Sequence, residues 1–116
     1  MKIIYIIVFV LAMYSVVSVI RFKYVISQAK LPSIAQQEQT FGQGPNLRYI
    51  ASGDSTSAGV GASTTNLTYP YRIAQELSQT NTILYKNVGV SGAKTTDLIN
   101  NQLNEIVKFN PDIVTI

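Results

Sequence analysis

Gly53-Asp54-Ser55-Thr56-Ser57-Ala58-Gly59 follows directly on a short apolar run, Leu47–Ser52. A strand that ends in Gly-Asp-Ser and opens into a loop of small residues holds a hydroxyl at the C-terminal edge of a parallel sheet, where α/β proteins keep their ligands. The chemistry this offers is acyl transfer, with Ser55 as nucleophile. A serine hydroxyl needs a base to take its proton and N–H donors waiting for the oxyanion. The backbone N–H of Ser55 is one such donor. A second apolar run leads into Asn87-Val88-Gly89-Val90-Ser91-Gly92, whose loop opens on the same edge and offers the N–H of Gly92. The 116 residues contain no histidine, so the usual base for such a serine is missing from them.

The elements that must hold these two loops alternate. Leu47–Ser52 reads as a first strand and Gly53–Thr68 as a long polar loop. Tyr69–Gln79 reads as a helix, with Pro70 in its first turn and Tyr71, Ala74 and Leu77 at helical spacing. Thr82–Val88 is a second strand. A second helix follows, capped by Thr95 or Thr96, with Asp97 favourable in its first turn. Its apolar face is expected to comprise Leu98, Ile99, Leu103, Ile106 and Val107. Asn110-Pro111-Asp112 ends that helix, and Ile113–Ile116 begins a third strand. Short apolar strands separated by amphipathic helices predict a parallel sheet with right-handed crossovers. Seventy residues from Leu47 to Ile116 bury only about 60% of their unfolded surface, and a sheet ending on Ile-Val-Thr-Ile leaves an apolar edge. Residues 47–116 are therefore expected to be the front part of a larger domain.

The N-terminal region is of another kind. Ile3 to Ile20 contains no charged residue. As a helix those residues reach about 27 Å, close to the hydrocarbon thickness of a bilayer. Residues 1–26 are read as a transmembrane anchor with its flank, an uncleaved anchor being preferred to a cleaved signal peptide because no clean small-x-small site follows. Residues 27–46, Gln-rich with Pro32, Gly42, Gly44 and Pro45, are read as a linker. Arg21, Lys23 and Lys30 outnumber Lys2, which favours a cytoplasmic C-terminal side. Export is the usual service of an N-terminal apolar segment, and an extracytoplasmic domain is the orientation expected here.

The net charge of +3 is no signal for nucleic acid. Residues 1–46 carry four basic residues and one acidic; residues 47–116 carry five of each. The excess sits on the membrane flank, and no basic stripe with interleaved aromatics follows. The absence of cysteine removes disulfides and thiol chemistry.

Gly53–Gly59 resembles the first sequence block of the GDSL or SGNH hydrolase family. Asn87-Val88-Gly89-Val90-Ser91-Gly92-Ala93-Lys94-Thr95-Thr96-Asp97-Leu98 resembles the second, and Asn110–Ile116 is similar to the strand leading into the third. The resemblance implies a flavodoxin-like α/β/α sandwich and hydrolysis of small-molecule, lipid or carbohydrate esters, with no cofactor and no metal. It implies Ser55 as nucleophile and the Ser55 and Gly92 N–H groups as oxyanion hole. The family's Asn, Asp and His are not among these residues, so the chain by itself is expected to be inactive. Thr56 replaces the leucine of the family's short name.

Other readings stand beside this one. Gly-rich loops after parallel strands also cradle nucleotides and phosphates, although neither Gly-x-Gly-x-x-Gly nor a Gly-Lys-Ser/Thr ending is present. A truncated membrane protein without biochemical function is a third. Asp54 reads as a hydrogen-bond acceptor of the turn rather than a base. Lys94 reads as an exposed surface lysine rather than the base of a Ser-Lys arrangement. Tyr69 and Tyr71 read as helix-packing residues.

Overall fold

The computed structural model describes residues 2–28 and 38–116. They fall into two units, a single helix and an α/β unit. Part of the segment read as linker, residues 29–37, lies outside the described residues.

The first unit is α1, Lys2–Gln28. Its side chains from Ile3 to Val25 are exposed all round. The 23-residue stretch Ile3–Val25 is long and apolar enough to cross a membrane, a test that an N-terminal signal sequence also passes. At 1.5 Å per residue it spans about 35 Å. Ser15 donates its hydroxyl to Leu11 O at 2.9 Å, one turn back, so this polar group is satisfied inside the helix.

The second unit is a four-stranded sheet with helices on both faces. Its strands are β1 Gln39–Phe41, β2 Asn46–Ala51, β3 Thr82–Asn87 and β4 Ile113–Thr115, in the spatial order β1-β3-β2-β4. β2 pairs in parallel with β3 on one side, Tyr49 opposite Tyr85, and with β4 on the other, Ile50 opposite Val114. β1 runs antiparallel to β3, Phe41 opposite Ile83. The sheet is thus mixed, not wholly parallel as the strand–helix alternation predicts. The extra strand lies inside the stretch read as linker: three residues between a polar run and Gly42, Gly44 and Pro45 give too little alternation to register as a strand. Phe41 is nonetheless anchored, its ring centroid 5.6 Å from that of Tyr71 and 6.2 Å from that of Tyr85.

Residues that alternate along β2 and β3 feed two cores. Tyr49, Ala51, Ile83 and Tyr85 point to one face, where α2, Tyr69–Leu77, covers them with Tyr71, Ile73, Ala74 and Leu77. Ala74 is fully buried, and its small side chain lets the helix approach the stacked Tyr49 and Tyr85 rings. Ile50, Leu84 and Val88 point to the other face. There they meet a helical run composed of α3 Thr95–Asp97, a π-helical turn Leu98–Gln102, and α4 Leu103–Phe109. Ile106 and Phe109 supply its buried apolar contacts. Lys86, on the same face, donates to Glu105 Oε2 at 3.1 Å and holds that carboxyl below its ordinary range.

Two differences from the sequence reading concern this helical run. Its N-cap is Lys94 rather than Thr95 or Thr96; the Asp97 carboxylate accepts the Lys94 N–H at 2.8 Å. Asp97 does take the first-turn position expected of it. The predicted apolar face is split: Ile106 is buried, while Ile99, Leu103 and Val107 are 55%, 43% and 68% exposed. Gln102 and Phe109 hold the inward positions instead. The run ends at Asn110, whose left-handed conformation (φ 49°) returns its N–H to Ile106 O and Val107 O before Pro111 stops the helix. Asp112 then accepts the Arg48 N–H at 2.7 Å and donates its own N–H to Arg48 O, setting the register of β4 on β2.

Candidate active site

β2 is the central parallel strand, and the chain leaves its two neighbours on opposite sides. This is the arrangement in which a cleft forms outside the carboxyl ends of the strands. A cleft of about 490 Å³ lies there. Ser52, Gly53, Asp54, Thr56 and Ser57 from the loop after β2 line it, with Ala93, Lys94, Thr95 and Leu98 from the loop after β3 and the helix start. Tyr69 and Ile116 complete the wall. Tyr69 therefore faces the cleft, whereas Tyr71 packs in the core as read. Ser55 and Gly92 are not among the lining residues; their neighbours Asp54, Thr56 and Ala93 are.

The loop carrying Ser55 is a braced turn. Asp54 Oδ1 accepts the Thr56 N–H at 2.9 Å, and Asp54 O accepts the Ala58 N–H at 2.9 Å. That is the acceptor role the sequence suggests for Asp54. Ser55 O accepts the Val60 N–H at 2.9 Å. The Ser55 side chain is half-buried, and its hydroxyl has no hydrogen-bond partner among the described residues.

The two loops are stitched together. Val90 N–H donates to Gly53 O at 3.1 Å. Asn87, buried at the end of β3, donates its amide to Ser57 O at 2.9 Å and accepts the Gly89 N–H at 2.9 Å. Ser57 Oγ reaches Asn87 Oδ1 at 3.4 Å. One carboxamide thus serves both loops, two residues beyond Ser55 on the first. Sequence reasoning gave Asn87 no role of its own, although it opens the second loop.

The two glycines of the second loop divide their work. A Cβ on Gly89 would stand 2.7 Å from Ser57 Oγ and 2.8 Å from Ser57 Cβ. The close approach between loops thus depends on Gly89. At Gly92 a Cβ would meet nothing within 4 Å. Gly92 is held by its backbone, φ +83°, a conformation side chains rarely adopt, rather than by crowding within the chain. The N–H groups of Ser55 and Gly92 donate to no partner among the described residues. An unpaired turn N–H is ordinary. Acyl transfer requires such free donors to face the reacting carbonyl.

A segment ending Gly-Asp-Ser after the central strand, joined to a second glycine loop at the same sheet edge, is the framework of an acyl hydrolase. Residues 51–116 match the GDSL-like Lipase/Acylhydrolase family. The match takes in more than half of the chain, which belongs to that family. No curated protein and no solved structure matches it.

Proposed function

We propose that this protein is a serine ester hydrolase of the SGNH class in which Ser55 is the nucleophile and the backbone N–H groups of Ser55 and Gly92 receive the oxyanion. The observation that carries the reading is the unengaged Ser55 hydroxyl on a braced turn at the C-terminal end of the central strand, inside the family-matched segment. The strand order around β2, with parallel neighbours on both sides, supports a flavodoxin-like sheet for the hydrolase domain.

In the reaction, Ser55 Oγ attacks the ester carbonyl carbon as its proton passes to a base. The carbonyl oxygen becomes an oxyanion facing the two N–H donors, each worth roughly 3 kcal/mol by analogy with oxyanion-hole deletions. Collapse expels the alcohol, which takes the proton back, and water then releases the acyl group from Ser55 by the same route. The 116 residues hold no histidine, so the base comes from outside them. Tyr69, Ala93, Leu98 and Ile116 give the cleft apolar wall for an acyl chain. This suits small-molecule, lipid or acylated-carbohydrate esters. The helix α1 serves as the membrane tether, with the α/β unit on the extracytoplasmic side, a reading supported by its length, its apolar character and its N-terminal place. A fluorophosphonate probe applied to a chain that also carries the base tests the assignment: it is expected to modify Ser55, and Ser55→Ala is expected to abolish the adduct.

A further inference from the structure

We propose that Gln102 is a positioning residue for Ser55, acting through a two-bond clamp on Gly53; the proposal rests on the reading of Ser55 as nucleophile. Gln102 is a polar residue in an inward position, 3% exposed, on a helical run where apolar side chains are the expected filling. Both ends of its carboxamide bond to one residue, Gly53. Gly53 N–H donates to Oε1 at 2.8 Å, and Nε2 donates to Gly53 O at 2.9 Å. Both partners of the pair are satisfied, which is the condition for keeping an amide out of water.

Gly53 is the residue where the chain turns out of β2, at φ +125°, two positions before Ser55. Its carbonyl also accepts the Val90 N–H from the Gly92 loop at 3.1 Å. Fixing both peptides that meet at Gly53 fixes the origin of the Ser55 turn and its junction with the other loop. Asn87 holds Ser57 on the far side, so Ser55 is bracketed by buried carboxamides two residues before and two after it. Gln102 also closes the π-helical turn Leu98–Gln102. Such turns are frequent at functional sites. Here the interruption coincides with the inward placement of Gln102 and the outward placement of Ile99 and Leu103. A residue that only filled the core would be replaceable by leucine of similar volume.

The test uses the chain together with the segment that supplies the base, in detergent micelles, with Gln102→Leu and Gln102→Glu. Gln102→Leu is expected to lower Gly53 amide protection and to slow fluorophosphonate labelling of Ser55 by at least about tenfold, a loss in keeping with misplacement of a reacting group. Protection in β2 and β3 is expected to stay as in the parent. Gln102→Glu presents only acceptors when ionised, but a donor and an acceptor when protonated. Its Gly53 amide shift is expected to return toward the parent value as pH falls from about 7 to about 4, a reversal that space-filling would not produce. Unchanged Gly53 protection or unchanged Ser55 labelling in Gln102→Leu overturns the proposal. Should that variant fail to fold, the absence of recovery in Gln102→Glu on acidification overturns it instead. If the parent chain is not labelled at Ser55, the nucleophile reading fails, and Gly53 protection alone decides the clamp.

Discussion

The Ser55 hydroxyl has no hydrogen-bond partner among the described residues, while the Thr56 N–H and Ser57 carbonyl beside it are held by Asp54 and Asn87. The two glycines of the second loop give a sharper discrimination. Gly89→Ala drives a methyl into Ser57, and overpacking of this sort costs about 1–3 kcal/mol. Gly92→Ala meets no atom, and its cost is the backbone strain of φ +83°, about 1–2 kcal/mol. Chemical denaturation is expected to rank Gly89→Ala as the less stable variant, while Gly92→Ala has the larger effect on Ser55 reactivity relative to its stability loss. The acceptor role of Asp54 was legible from residue type, because a turn after a strand is a local event; Ser55 and Gly92 were singled out on the same local ground. Gln102 and Asn87 were not. Nothing local marks a glutamine in a helix or an asparagine at a strand end as the partner of a peptide 49 or 30 residues away.

Among the elements, the helical run gives the clearest correction. Period alone places Leu98, Ile99, Leu103, Ile106 and Val107 on one face, and the π turn with Gln102 inward divides them. Ile106→Ala is expected to cost about 2–4 kcal/mol and Val107→Asp under about 0.5 kcal/mol, by urea denaturation. Equal costs would restore the undivided face. The five longer elements were readable because each carries four or more patterned residues: α1, β2, α2, β3 and the second helical run. β1 carries three, and only its partner β3 and the rings of Tyr71 and Tyr85 make Phe41 part of the fold. The antiparallel edge is therefore a tertiary fact, outside the reach of local pattern.

Taken together, the α/β unit is held by an aromatic core whose phenols are buried. Burial raises Tyr49 and Tyr85 above the ordinary tyrosine value of 10.0. In the unfolded chain both ionise near that value, so the unfolded state loses protons first. Stability is accordingly unaffected below about pH 10 and falls as pH rises beyond it. Tyr85→Phe is expected to flatten the alkaline limb of a pH–denaturation series, and an unchanged limb would show that the phenol is not held out of water. The charge map was readable at this level: the net +3 resides with the N-terminal residues, and the α/β unit is balanced. The order of strands around β2 was not, since the alternation of strands and helices permits several. The hydrolase assignment stands on Ser55, and peptide mass mapping after fluorophosphonate treatment of a chain that also carries the base tests it. A single adduct is expected on the peptide containing Gly53–Gly59, on Ser55, absent from Ser55→Ala. An adduct that persists in Ser55→Ala, or forms on Ser57 or Ser91 in place of Ser55, would contradict it.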